Sequence, residues 1–119
     1  MTDLMSRLTA AIGPNRELDA EIALANGWVK ERDRFVGDCW KGPQGRYQPN
    51  PPRYTESIDA AMRLVPEGLT GELSWWLTPD GFKVYCAEFH THRECQGKSV
   101  NSAIALVIAC LKAKENNEP

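Results

Sequence analysis

The feature that most constrains the fold is an uncharged run of thirteen residues, 99–111, near the end of the chain. Its apolar side chains follow helical spacing over residues 100–114 and extend around much of the circumference. A helix that is apolar on nearly all sides is either buried in a core or covered by a partner chain. Thirteen residues are too few to span a bilayer, which takes about 20. The run therefore predicts a deeply buried last helix or an interface with a second copy.

Length and composition favour one globular domain covering residues 1–119, with an ordered core over 1–114 and a polar tail over 115–119. A chain of 119 residues removes roughly two thirds of its unfolded surface from water on folding, which is enough for a core without disulfides. The net charge of −2 disfavours a dedicated duplex-binding protein, because neutralising phosphates requires a basic surface. We therefore expect neither a nucleic-acid partner nor a membrane partner.

The N-terminus lacks the basic start and apolar block of a secretory signal. Cys110 falls within the apolar last helix and is interpreted as a small hydrophobic residue, not as half of a disulfide. These features predict a cytoplasmic protein with reduced thiols.

Three further helices are predicted before the last one. Leu4, Leu8 and Ile12 form one apolar stripe, and a second helix follows Asn15 as its N-cap and ends at Gly27. Thr55 or Ser57 caps the third helix, which ends before Pro66. Its expected features are a buried stripe of Ile58, Met62 and Val65, and an Asp59–Arg63 ion pair.

Four strands are predicted at residues 28–32, 35–40, 72–78 and 82–90, the last two joined by a Pro-Asp-Gly hairpin turn. Leu73, Trp75 and Leu77 share one face of their strand, whereas Trp76 lies on the other. Strands that are apolar on both faces indicate a sheet covered on both faces. The fold class predicted is α/β of the α+β type, a three-layer helix/sheet/helix sandwich with a small, mostly antiparallel sheet, in which neither Trp75 nor Trp76 is exposed.

Three segments carry a resemblance to a known family. Residues 53–68 read RYTESIDAAMRLVPEG after a Pro-Pro pair, residues 11–23 read AIGPNRELDAEIA, and residues 103–113 read AIALVIACLKA. The chain resembles the phage ABA sandwich domain family in these segments. The resemblance implies a bacteriophage or prophage origin and a helix/sheet/helix sandwich. It implies no established activity and no catalytic residues.

A proline-rich segment, residues 41–53, is interpreted as a surface loop and carries the candidate ligand-binding residues. Aromatic rings and guanidinium groups in one region suit a nucleotide or a phosphorylated small molecule. The candidates are Trp40, Arg46, Tyr47, Arg53 and Tyr54. The alternative is that Trp40 and Tyr54 anchor the loop while both arginines are solvated.

The sequence around residue 90 offers a second candidate site. Cys86, His90, His92 and Cys95 are the residue types that bind zinc, and a Cys–His pair could also act as a nucleophile. Their spacing matches no standard zinc pattern, and Cys86 could equally be a buried residue beside solvated histidines. We therefore assign no metal site, cofactor or catalytic residue, and expect no enzyme activity.

The function that these features favour is that of a phage or prophage accessory binding protein, non-enzymatic, acting in the bacterial cytoplasm. Homo-oligomerisation is expected from the last helix, and the partner is either a host protein or a small nucleotide signal. The alternatives are a nucleotide-binding protein that counters host defence and a small enzyme or metal-binding protein using the Cys86, His90, His92 and Cys95 cluster. The mixed charges of residues 30–34 favour a solvated hairpin edge over a nucleic-acid surface.

Overall fold

A computed structural model of the protein describes residues 2–35, 37–90 and 95–117. Its helices are α1 (Thr2–Ala10), α2 (Arg16–Ala25), α3 (Ile58–Met62) and α4 (Ser102–Asn117). Its strands are β1 (Val29–Asp33), β2 (Gly37–Lys41), β3 (Tyr47–Gln48), β4 (Gly71–Leu77), β5 (Lys83–Phe89) and β6 (Cys95–Ser99). The strands form two antiparallel sheets of three strands, ordered β1-β2-β3 and β4-β5-β6. The predicted α+β class with antiparallel strands is confirmed.

The last helix, α4, occupies the centre of the core. Every residue from 103 to 111 is buried, because β5 and β6 pack on one side of α4 while α1 and α3 pack against it elsewhere. Asn101 caps the helix, its Oδ1 accepting from the Ile104 amide at 3.0 Å. The sequence left two alternatives for this apolar helix, burial in the core or an interface with a second copy. Burial within its own chain is enough to account for its composition.

Burial of Cys110 makes the stability of the fold sensitive to alkaline pH. Desolvation raises the pKa of the Cys110 thiol from about 9 to about 12. Between these values the unfolded chain loses the thiol proton while the folded chain keeps it. The free energy of unfolding is therefore expected to fall by up to about 1.4 kcal/mol per pH unit above pH 9.

Urea unfolding of reduced protein at pH 8, 9, 10 and 11 would measure this loss, with Cys110→Ala as the matched variant. Burial also raises the pKa of Tyr54, so a smaller loss above pH 10 should persist in the variant. Identical pH profiles for the two proteins would contradict the prediction.

The first two helices agree with the sequence except at one end. Asn15 caps α2, accepting from the Leu18 amide at 3.0 Å, and Gly27 adopts the expected left-handed φ of +93°. Leu4 and Leu8 are buried as predicted. Ile12 is 86% exposed, because α1 ends at Ala10 and the stripe does not reach this residue.

A buried polar cluster joins the start of α2 to the chain before α3. Asp19 Oδ1 accepts from the backbone amide and the hydroxyl of Thr55, at 2.8 and 2.7 Å. Its Oδ2 accepts from Arg16 at 2.7 Å, and Arg16 also donates to the carbonyl of Pro51 at 2.9 Å. The Asn15 amide donates to the Thr55 hydroxyl at 2.8 Å. These bonds hold the end of the proline-rich segment against α2.

The third helix is shorter than predicted. Ser57 caps it, accepting from the Ala60 amide at 3.2 Å, and Ala61 is its fully buried residue. The predicted burial of Ile58 and Met62 is wrong: both are exposed, because a helix of five residues contacts α4 through small side chains. The expected ion pair is also wrong, since Arg63 has no carboxylate within 4.0 Å among the described residues.

The hairpin of β4 and β5 forms as expected, but its first strand is not covered. The Thr78 amide donates to the Phe82 carbonyl at 2.8 Å, and Gly81 in the turn has a φ of +90°. Trp75 is 58% exposed and Trp76 is 42% exposed, so the prediction that both are buried is wrong for the single chain. A helix is about 10 Å wide and therefore covers roughly two strands spaced about 4.8 Å apart. Because α4 lies over β5 and β6, it does not also cover β4.

Candidate ligand-binding cleft

The first half of the proline-rich segment is an ordered hairpin and not an irregular loop. The Gly42 amide donates to the Arg46 carbonyl at 2.8 Å, and the Gly45 amide donates to the Gly42 carbonyl at 3.0 Å. Gly45 has a φ of +87°, which L side chains rarely adopt. Pairing of β3 with β2 follows directly, so the turn has a defined position next to the start of β1.

Trp28, just before β1, forms one wall beside this hairpin. A Cβ atom on Gly42 would lie 3.1–3.3 Å from the Trp28 ring, so the ring lies directly against the Gly42 backbone. Tyr54 is buried beneath the segment. Burial raises the pKa of Tyr54, and its contact with the Trp28 side chain and the charge of Arg63 lower it in part. The wall therefore combines an indole and a neutral phenol.

These residues surround a cleft of about 290 Å³ between the β2–β3 hairpin and the end of α3. Among the residues that the structure describes, its charged lining residues are Arg46 and Arg63, and no acidic side chain belongs to the lining. Neither arginine has a carboxylate within 4.0 Å in the part of the chain that the structure describes. Both arginine residues are exposed. The cleft is thus a concave, positively charged site in a chain of net charge −2.

The structure brings two of the five predicted binding residues, Arg46 and Tyr54, to this cleft. Tyr47 lines a neighbouring hollow of about 400 Å³, and the Lys41 Nζ lies 5.7 Å from its ring centroid. Trp40 is buried in the core. Arg53 is exposed and pairs with Glu56 at 3.0 Å.

Sequence reasoning missed Trp28 and Arg63. The sequence pattern places Trp28 in a predicted strand and Arg63 in a predicted ion pair with Asp59. Trp28 reaches the cleft because its ring lies against the hairpin at Gly42, and the end of α3 brings Arg63 to the same cleft. The sequence carries only a weak signal that Arg63 belongs to a binding site. Asp59 precedes Arg63 by one helical turn, which favours an ion pair between the two instead.

The cysteine and histidine cluster is only partly within the described residues. Cys86 is buried in the middle of β5, where it pairs with Ser74 and Lys98, and His90 is exposed just after the strand. His92 and the side chain of Cys95 lie outside what is described. Among the residues that the structure describes, no three potential ligands lie close enough to hold a metal. The alternative metal site stays a prediction, and a zinc content well below one per chain in untagged protein would contradict it.

Three comparisons with known proteins, against family models, curated proteins and solved structures, find no match for this chain. The resemblance to the phage ABA sandwich domain family therefore remains a prediction. In residues 2–35, 37–90 and 95–117, no helix is both long and apolar enough to cross a membrane.

Proposed function

We propose that the protein is a non-catalytic accessory binding protein, encoded by a phage or prophage and acting in the cytoplasm of the bacterial host. Its ligand is a small anion with a planar ring, of the nucleotide class. The observation that carries this proposal is the cleft whose charged lining, over the described part of the chain, consists of Arg46 and Arg63.

The chemistry of the cleft fits such a ligand in two ways. A guanidinium group donates two parallel hydrogen bonds to a phosphate, and two arginines in the lining of one cleft offer this. Trp28, which is half-buried, supplies an indole against which a base could pack, and the buried Tyr54 belongs to the same lining. A volume of about 290 Å³ lies at the lower end of ligand pockets, which favours a mononucleotide over a larger cofactor.

The arginines also explain why an acidic protein could attract an anion. Their charges are not neutralised by neighbouring carboxylates, so the local potential is positive although the net charge is −2. Binding should weaken as salt is added, because exposed charges are screened within about 10 Å at 0.1 M salt.

The proposal predicts binding of adenosine 5′-monophosphate or its 3′,5′-cyclic form, measured by thermal shift and titration calorimetry at low salt. Adenosine without phosphate should bind far more weakly. Arg46→Gln and Arg63→Gln should each weaken binding about tenfold, which corresponds to one lost charged hydrogen-bonding group of about 1.4 kcal/mol.

Arg53→Gln is the matched control, because Arg53 belongs to the same segment but lies outside the cleft. Its affinity should stay within about twofold of the wild type. The proposal fails if neither nucleotide stabilises the protein at millimolar concentration, or if Arg53→Gln weakens binding as much as the two cleft variants do.

A further inference from the structure

The strand β4 is an open, apolar edge of its sheet. The sheet order β4-β5-β6 leaves one side of β4 without a neighbouring strand among the described residues. All seven residues of β4 are exposed, and Leu73, Trp75, Trp76 and Leu77 are apolar. A long apolar edge strand is a template for pairing with another strand, and natural proteins normally cover or charge it. Glu72 is the single charged residue of β4.

The hydrogen bonds of the hairpin determine which residues face this open edge. The His90 amide donates to the Thr70 carbonyl, and the Thr78 amide donates to the Phe82 carbonyl, each at 2.8 Å. In an antiparallel ladder, hydrogen-bonded residues alternate with residues whose N–H and C=O groups point away. The even-numbered residues of β4 therefore bond to β5. The groups that point outward belong to Gly71, Leu73, Trp75 and Leu77.

We propose that β4 pairs antiparallel with β4 of a second copy of this chain, about a two-fold axis at Ser74. In this register Leu73 faces Trp75 of the second copy and Gly71 faces Leu77 of the second copy. All four outward-pointing residues of each strand then exchange their backbone hydrogen bonds, over the full length of β4. The result is a continuous six-stranded antiparallel sheet.

The side chains support this register on the face that carries α4. An apolar groove of about 160 Å³ separates α3 from β4 and is lined by Ile58, Met62, Leu73 and Phe89 among others. Gly71 lies at the groove beside the Phe89 ring, since a Cβ there would lie 2.7 Å from that ring. Leu77 of the second copy, opposite Gly71, would place its side chain at this groove and cover the exposed Ile58 and Met62.

The opposite face is compatible with the same register. Ser74 faces Ser74 of the second copy, which places two small polar side chains at the axis. Glu72 faces Trp76 of the second copy, so the two Glu72 carboxylates do not oppose each other. On the face that carries α4, Lys83 lies over the Trp75 ring, with its Nζ at 5.1 Å from the centroid, which keeps its charge within the chain's own hairpin.

The available area is close to what a dimer needs. Full burial of the exposed parts of Leu73, Trp75, Trp76 and Leu77 would remove at most roughly 450 Å² per chain, at about 150–250 Å² for each fully exposed large side chain. Two copies contribute about 900 Å² before backbone and α3 are included, against the roughly 1,000 Å² of a specific interface.

Mass and cross-linking test the proposal together. Light scattering of the full chain should give about 27 kDa, twice the 13.3 kDa of one chain. In a Cys86→Ala background, which removes the cysteine that pairs with Ser74, Ser74→Cys should form an intermolecular disulfide under mild oxidation. Directly opposed residues in a non-hydrogen-bonded pair have Cα atoms about 4.5 Å apart, within the range for a disulfide. Glu72→Cys and Trp76→Cys, which do not face themselves, should cross-link at least tenfold more slowly.

Charge at the axis gives an independent test. Ser74→Asp should yield a 13.3 kDa monomer, because two carboxylates would face each other. Mixing Ser74→Asp with Ser74→Lys should restore the 27 kDa species. A wild-type mass of 13.3 kDa at 0.5 mM overturns the proposal and leaves β4 to a different partner. Faster cross-linking of Leu73→Cys or Trp75→Cys than of Ser74→Cys overturns it as well, because the axis would then lie elsewhere.

Discussion

Replacing Gly97 with alanine is expected to cost more than about 3 kcal/mol of stability and to leave little folded protein at 37 °C. Gly97 lies in β6, where the strand meets α4. A Cβ atom there would lie 2.1 Å from the Ala105 carbonyl oxygen and 2.7 Å from the Ala109 amide nitrogen. Both obstacles are backbone atoms of a helix buried on all sides, so neither can move aside without separating α4 from the sheet.

Urea unfolding followed by circular dichroism would measure this effect. Gly13→Ala is the matched control, because no atom lies within 4 Å of the added carbon and Gly13 has no positive φ. Its stability should stay within about 0.5 kcal/mol of the wild type. A loss below about 1 kcal/mol for Gly97→Ala would show that strand and helix are not packed as closely as described.

Asp19→Ala is expected to destabilise the fold by about 3 kcal/mol. Asp19 and Thr55 are fully buried, and the carboxylate accepts from the Thr55 amide, the Thr55 hydroxyl and Arg16. Removing it leaves the Thr55 amide buried without a partner, and such a group costs about 1–3 kcal/mol. Arg16 is 44% exposed and regains water, so its share of the loss is small.

Asp19→Asn removes the negative charge of the side chain but keeps one acceptor oxygen for Thr55. It therefore separates the effect of the charge from the effect of the hydrogen bonds to Thr55. We expect it to cost about half as much as the alanine variant. Glu67→Ala, an exposed carboxylate in the loop before β4, is the control and should change stability by less than about 0.5 kcal/mol. Equal stabilities of Asp19→Ala and Glu67→Ala in thermal and urea unfolding would contradict a structural role for the cluster.

Local signals in the sequence determined much of the fold. Asn15 and Gly27 mark the two ends of α2, since a cap side chain and a left-handed glycine act on neighbouring backbone groups. The Pro-Asp-Gly turn likewise determines the β4–β5 hairpin, and the uncharged composition of residues 99–111 determines a buried last helix. Each of these signals acts within a few residues and needs no knowledge of distant contacts.

The candidate site was predicted only in part. Of the candidate residues, Arg46 and Tyr54 line the cleft, and Trp28 and Arg63 come to it from other elements. Trp40 carries the same aromatic chemistry and is buried in the core, because the side of β2 that faces the core depends on how its sheet packs. The residue types therefore indicated which binding chemistry this segment offers, whereas the tertiary fold determined which side chains lie together.

By itself the sequence determined the element types, the caps and turns, and the burial of the last helix, because these follow from local backbone chemistry and from composition. Only the tertiary structure decided that Trp75 and Trp76 stay exposed and that two arginines from distant segments share one cleft. The apolar pattern of a strand indicates that another surface must pack against it, but it does not indicate which surface does so. The width of α4 and its position over β5 and β6 decided that no described part of the chain covers β4.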